Sequence, residues 1–540
     1  MSTAMVSSAA GSPQDTPPAR RGLHIFLRTP VGAVIAAATL LALGLRIYQI
    51  TRPGVLLGVA WYDDGVYFAS ALRLVQGVIP YRDFVFAQPP GLTLLLTPAA
   101  LAAKVIGTAR GMAFARILTL LASTAAVVLG GLLVRHRGLL AVTVTCGLLA
   151  VFPASVGDAR TIFIEPWVVL FCLAGALVVF DGDRLAGGGR RLLAGGMVFG
   201  FAGAIESWAI IPVLVVVALA LARPRTAATY AGGVAIGFLV PVVPFVIPSP
   251  RGFYQSVFVA QLVRHGQIWV PYWFRLQQMT GLNYLVNPGH LILLLVSLAV
   301  VGFVAAALTG AWVITRRPPP PLDWFAVTTA ALVVIAFMWP PGFFFHFPGF
   351  LEPFVALAIA LSASRLLDAV RSPAGRPRAR WLPWAAAGLA GLVIVAFAVI
   401  QGHAESTLTP RVGPRNVAAV RRTIPPGACV LTDQASFAIA ANRFYSDVPG
   451  CSRMIDPLAV DYALSSGRDA LNGAGNFPAV AAVMRQAFVH AQYVWLSGVY
   501  NRRRIAWTPA LRAYFQRNFV RVLMDNKGDA LYVRRELLRA

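Results

Sequence analysis

Lysine is almost absent from this chain: Lys104 and Lys527 are its only two, while arginine abounds beside much Ala, Gly and Pro, a bias expected of GC-rich coding. Walker-type Gly-Lys-Ser/Thr loops and GxSxG elbows are missing, which argues against an ATPase and an α/β-hydrolase. Cysteine is scarce, with four residues, and seven histidines lie scattered. Neither His-x₃-His nor Cys-x₂-Cys spacing occurs, so the pattern offers no metal centre. The Gly-rich run AGGGRR (186–191) has no flanking strand and reads as a linker. Charge is scarce too, at 12% of residues.

Apolar residues fill the space. Of the 540 residues 58% are hydrophobic and the mean hydropathy is +0.69, against about 45–50% apolar in soluble domains. The excess is gathered in blocks of roughly 18–25 residues, each long enough to cross about 30 Å of hydrocarbon as a helix. These blocks predict a polytopic α-helical membrane protein. The formal charge of +25 does not imply a nucleic-acid partner, because the basic residues fall mainly in short loops between apolar blocks.

Residues 1–29 are polar and Pro/Ser-rich, and predict a disordered cytoplasmic tail ending in Arg20, Arg21 and Arg28, with nothing resembling a cleavable signal peptide. A membrane domain is expected over 30–402. Its spans fall at about 31–50, 112–134, 138–156, 163–181, 192–205, 208–222, 227–248, 288–314, 323–340, 349–367 and 382–402, about eleven crossings. The apolar stretch 89–107 is the exception. If it crossed, the arginines at 135–137, 181–191, 223–225, 316–317 and 371–380 would all lie outside; if it is re-entrant or interfacial, they all lie inside. The positive-inside rule favours the second arrangement, and Pro89, Pro90 and Pro98 suit a broken segment. It gives a multi-pass plasma-membrane protein with a cytoplasmic N-terminus and a first outer loop at 51–111. The tail 403–540 then lies outside. It alternates strand-like runs (GACVLTD, AQYVWLSG) with a helix (PAVAAVMRQAFVHA) and a hairpin around Asn526-Lys527-Gly528, which predicts a small extracytoplasmic α/β domain. Cys429 and Cys451 in this tail are a disulfide candidate, with two buried thiols as the alternative.

The first outer loop carries the densest acid cluster: WYDDGVYFASALRLVQGVIPYRDFVFAQPP (61–90) holds Asp63, Asp64 and Asp83. As local structure, Asp63 is a good N-cap, Asp64 complements the dipole of a first turn, and Gly77 ends the helix. A cap needs one acid, so the second invites a chemical reading. No nucleotide pool exists outside a membrane, and group transfer there uses a donor that arrives activated, typically on a polyprenyl phosphate. The element still missing is a base for the acceptor hydroxyl, a role worth about 10²–10⁴ in rate. Asp63 and Asp64 are the catalytic candidates, one as base and the other as its orienting partner or as a cap.

This loop resembles the first outer loop of GT-C glycosyltransferases that use polyprenyl-phosphate sugars, among them the protein O-mannosyltransferase, aminoarabinose-transferase and RgtA/B/C/D-like branches. In those enzymes an acidic pair opens an interfacial helix and is followed by Tyr-x-Asp and Pro-Pro segments. The matching residues here are Asp63-Asp64, Tyr81-Arg82-Asp83 and Pro89-Pro90. The resemblance places the catalytic carboxylate on Asp63. GDARTIFIEPW (157–167) is similar to the second outer loop, matching Arg160 and Glu165-Pro166, and FFFHFPGFLEPFVALAIA (343–360) is similar to the aromatic–His turn of actinobacterial members, placing His346 outside. Residues 424–457 resemble the soluble tail of the same members. Where the family commonly has a Lys in the third outer loop, this chain has Glu206. The resemblance implies an inverting transfer from a polyprenyl-phosphate-linked sugar donor to a cell-envelope acceptor.

The remaining candidates are substrate-binding. Arg82 and Arg160 are expected to meet the leaving phosphate, with a structural Arg82–Asp83 pair as the alternative. Tyr81, Asp83 and Glu165 belong to the loops that orient acceptor or base, and Glu206 is an ionisable residue near membrane depth. Arg264 and His265 in the long loop 249–287 read as headgroup anchors or site residues, since membrane lipids are partners too. His346 reads either as a site residue or as an imidazole packed among Phe343, Phe344, Phe345 and Phe347. A divalent cation between Asp63 and Asp64 is the one metal arrangement weighed. The rival class is a transporter or lipid flippase, which needs ionisable residues deep in spans and paired broken helices; here the polar groups sit mainly at one boundary.

Overall fold

The computed structural model describes residues 29–262, 269–282, 288–340, 342–371, 381–465, 474–498 and 501–539. Arg264 and His265, and residues 1–28 of the predicted tail, lie outside the described residues. Helices occupy all eleven predicted spans. In chain order the elements that matter are α1 (Pro30–Ile50), α2 (Tyr62–Leu74), α3 (Gly91–Ile106), α4 (Thr108–Val134), α5 (Leu139–Val151), α6 (Glu165–Val179), α7 (Gly189–Ile205), α8 (Ile210–Ala220), α9 (Pro224–Val246), α10 (His290–Thr315), α11 (Pro321–Met338), α12 (Pro348–Arg371) and α13 (Leu382–Ser406). Seven of them, α1, α4 and α9 to α13, are long and apolar enough to cross a membrane; α3, α5, α6 and the helical stretch around α8 are shorter apolar helices.

The loops sort to two ends of this bundle. At one end Arg137 pairs with Asp183 at 2.7 Å and with Asp323 at 2.8 Å, and Arg365 donates to the Pro318 carbonyl at 3.0 Å. The loops after α4, α6 and α10 therefore share one side, which is where the charge argument placed their arginines. At the other end stand α2, the turn before α6, the α11–α12 turn and the tail. α3 stays at this second end. Gly91, at its start, lies against the backbone of Ala204 and Ile205, and Gly107, just past its finish, lies against the tail residue Asn442. Along its length Thr93 bonds Ser70 at 2.7 Å and Lys104 Nζ donates to the Val75 carbonyl at 2.7 Å, so α3 runs beside α2 rather than crossing.

Buried arginines tie the helix ends together, because carbonyls at a helix terminus away from water need donors. Arg46 in α1 donates to Leu149 and Ala150, the last carbonyls of α5, at 3.1 Å each, and Arg275 caps α11 through the Phe337 carbonyl at 2.7 Å.

α13 runs through Ser406, past the expected boundary at 402. The tail then forms a four-stranded sheet in the order β1-β2-β4-β3, from β1 (Val430–Thr432), β2 (Tyr493–Leu496), β3 (Phe519–Met524) and β4 (Ala530–Arg534). β1 and β2 are parallel, joined by a helical crossover that includes Pro478–His490, and the other pairs are antiparallel. The β3–β4 hairpin turns where Asp525 Oδ1 accepts the N–H groups of Lys527 and Asp529, each at 2.9 Å. Cys429 and Cys451 are joined as a disulfide; Cys146 and Cys172 are buried thiols.

Candidate active site

α2 opens at Trp61, not at Asp63. Trp61 occupies the N-cap position with no side-chain cap, and both acids fall in the first turn, where they complement the positive end of the helix. The expected Asp63 cap fails because other contacts already fix this end. Gln434 of the tail donates to the Trp61 carbonyl at 3.2 Å, and the Tyr62 hydroxyl donates to Asp456 at 2.6 Å. The Arg504 guanidinium lies 4.2 Å from the centroid of the Tyr62 ring. Gly65 approaches the backbone of Ser436 so closely that a Cβ there would sit 2.1 Å from the Ser436 nitrogen, so only glycine lets the tail seat on α2. Gly77, at φ +80°, terminates the helix as expected, its N–H reaching the Leu74 carbonyl at 2.9 Å.

The two acids of the pair have separate environments, since consecutive helical residues point about 100° apart. Asp64 faces inward. Its side chain and that of Arg116 in α4 are both 0% exposed and form a double-pronged pair, with Nε to Oδ1 at 3.2 Å and a shorter contact from Nη2 to Oδ2. Oδ1 also accepts the Ile162 N–H at 3.0 Å, while Arg116 Nη1 donates to the carbonyls of Val55, Leu56 and Gly58 at 3.1, 2.6 and 3.0 Å. Asp64 is thereby a clamp holding α2, α4, the 55–58 loop and the second outer loop. Among the described residues no group of three or more His, Cys, Asp or Glu is placed to hold a metal.

Asp63 is half-buried on the other side. Its neighbour is His346, in the turn between α11 and α12. Nδ1 of His346 bonds Glu165 Oε1 at 2.7 Å, and its ring stacks on Phe163 at 4.6 Å between centroids. Burial works against charge on this imidazole, yet the carboxylate of Glu165 and the fields of Asp63 and Glu206 outweigh it and raise His346 above its ordinary value. Glu206 caps the short turn after α7, accepting from Ser207 N–H and Oγ at 2.8 Å each. Asp63, Glu165, Glu206 and His346 are thus brought together at the junction of bundle and tail. The charge on His346 has a stability consequence. Because its folded value lies above the usual 6.5, its contribution is complete below that value and is lost as pH climbs through the raised one. Melting of wild type against His346→Gln, followed over about pH 6–9, is expected to show a shallower alkaline decline in the variant. Parallel curves would assign the titration to another group.

Other predicted residues lie elsewhere. Arg160 pairs with Glu405 at the end of α13, at 3.5 Å, and Gln401 holds the same carboxylate at 2.8 Å. Tyr81, Arg82 and Asp83 sit beyond the far end of α2. Arg82 grips Asp83 at 2.8 Å, Asp83 accepts the Ile79 N–H at 2.7 Å, and Tyr81, at φ +67°, packs edge-on against Phe253 at 5.0 Å. Sequence reading passed over Arg116, Arg46, Asp158 and Glu352. All are buried, and the signal that pointed to them was the general one of an ionisable group in or beside an apolar block. Asp158, packed beside Glu165 around a cavity of about 10 Å³ that Arg46 also lines, is pushed well above the carboxylate range by burial and then by Glu165.

No protein-family model matches the chain, and no curated protein matches it. Solved structures do. ArnT from Cupriavidus metallidurans, bound to undecaprenyl phosphate, aligns with a TM-score of 0.55 at 14% identity over 93% of this chain and 97% of its own. The archaeal oligosaccharyltransferase AglB from Archaeoglobus fulgidus, in complex with an inhibitory peptide and a dolichol-phosphate, aligns at 0.53 and 13% identity over 95% of this chain and 75% of its own. This chain has the GT-C fold. Within that fold the four-residue cluster around Asp63 sits where α2 meets the tail.

Proposed function

We propose that this GT-C protein is an inverting glycosyltransferase that moves a sugar from a polyprenyl-phosphate carrier to a cell-envelope acceptor at the outer face of the plasma membrane. One observation carries the reading: Asp63 is the member of the acidic pair that the Arg116 clamp does not engage, and it stands beside a histidine held by Glu165 and biased toward its charged form. In the proposed step an Asp63 carboxylate oxygen takes the acceptor hydroxyl proton as that oxygen bonds to the anomeric carbon from the face opposite the phosphate. The bond from the anomeric carbon to the phosphate oxygen breaks with its electron pair passing to the phosphate, so the configuration inverts. His346, whose protonated form Glu165 favours, is the cationic candidate near the departing phosphate, where the resembled enzymes' lysine is replaced by Glu206. The N-terminus is cytoplasmic in this reading, since the arginine-rich loops share the opposite end of the bundle.

Purified protein incubated with a panel of labelled polyprenyl-phosphate sugars and envelope extract is expected to consume one donor and label a glycan, lipid or protein. A protein that instead moves intact donor between leaflets of a vesicle, with no sugar released, would be a flippase.

A further inference from the structure

At the far end of α2 a cleft of about 780 Å³ separates the carboxylate loop from the tail domain. Asp63 and Arg73 lie ten residues apart on this helix, about 15 Å along its axis, so the cleft is separate from the Asp63 cluster. Its volume falls among small-ligand sites, about 300–1,000 Å³. Three guanidinium groups line it, those of Arg73, Arg82 and Arg453, and Asp83 is the one acid among its described lining. Asp83 is shared, with Arg82 at 2.8 Å and Arg453 at 3.6 Å, and it also holds its own loop through Ile79. Arg73 pairs with no carboxylate among the described residues. It reaches Gln76 at 3.5 Å and the Ser452 carbonyl at 3.3 Å, lies over the Phe444 ring at 4.6 Å, and has a buried Nε with no hydrogen-bond partner. Burial and then the charge of Arg453 bring Arg73 down to about 10. Three guanidinium groups against one engaged aspartate leave a surplus of positive charge that an anion with forked oxygens neutralises.

We infer that this cleft binds an anionic saccharide, through a uronate carboxylate or a phosphate ester gripped by Arg73, Arg82 and Arg453, and that it holds the acceptor chain while its hydroxyl reaches Asp63. The acceptor role rests on the proposed transfer; the binding does not. Gln76, in the turn just past α2, and Ser452 and Gln486 on the tail stand beside the arginines. They are amide and hydroxyl groups of the kind sugar hydroxyls require and an acyl chain does not, which favours a saccharide over a lipid headgroup.

The test is calorimetric titration of the full-length protein in detergent with tetragalacturonate, maltotetraose and inorganic phosphate. Wild type is expected to bind the acidic tetrasaccharide, to ignore the neutral one, and to lose binding as phosphate competes. Arg82→Gln and Arg453→Gln, at side chains 46% and 55% exposed, are each expected to weaken it roughly ten-fold without altering the melting curve. Absence of binding by wild type, or unchanged affinity in both variants, overturns the inference. So does a site that takes phosphatidylglycerol in nanodiscs in an Arg453-dependent way while ignoring the saccharide. Asp63→Asn is expected to bind tetragalacturonate normally, so loss of turnover and loss of this site are separable.

Discussion

Asp63→Asn is expected to lower sugar transfer by at least about 10²–10⁴-fold, the contribution of a positioned general base, while leaving the melting curve and detergent extraction of the protein unchanged. The amide has the size of the carboxyl group but carries no charge and cannot take up the acceptor proton. The clamp to Arg116, Ile162 and, through Arg116, the 55–58 carbonyls is made by the neighbouring residue, Asp64. Asp63→Glu keeps a base but moves it by a methylene, and should retain a fraction of the rate, since a misplacement of about 1 Å costs on the order of 10²-fold. Single-turnover measurement with labelled donor separates chemistry from binding. Turnover near wild type in Asp63→Asn would remove the residue from the mechanism, and a large drop in melting temperature would make it structural instead.

The two-sided distribution of arginine and the run lengths of apolar residues carried most of the fold, because insertion into hydrocarbon depends on composition over a whole span and survives ignorance of packing. The non-crossing character of α3 was legible from Pro89, Pro90 and Pro98 together with that charge distribution. Pairings between distant spans were not. Arg116 reads as a lone cation in an apolar block, and nothing local says that its partner is Asp64, 52 residues earlier. The division of labour within Asp63-Asp64 depends on which way the first turn of α2 faces, and the tail sets that by pressing Ser436 onto Gly65 and Gln434 onto Trp61. The partner of Arg160 was hidden for a related reason: nothing local says that the end of α13 places Glu405 beside it. Tyr81-Arg82-Asp83 lies beyond the C-terminal end of α2, where Arg82 pairs with Asp83, a local contact that the alternative reading of Arg82 anticipates.

The adjacent residue should give the opposite signature. Asp64→Asn removes the charge opposing a guanidinium that stays fully buried, and breaking such a pair costs about 3–5 kcal/mol. The protein is expected to melt at markedly lower temperature and to extract poorly, with activity falling in proportion to folded protein. Arg116→Met alone should be comparably severe, because it strands the Asp64 carboxylate and leaves the carbonyls of Val55, Leu56 and Gly58 without their donor. The double variant Asp64→Leu with Arg116→Met is the informative one. It leaves no lone buried charge, so it should regain part of the loss and give a clear coupling energy in a double-mutant cycle. Recovery stays partial because the three loop carbonyls still lack a donor. Neighbouring carboxylates on one helical turn would then be told apart by readout, one acting on rate at constant stability and the other on stability at constant rate per folded molecule. An Asp64→Asn protein that melts like wild type yet fails to turn over donor would place both acids in the chemistry and undo the clamp.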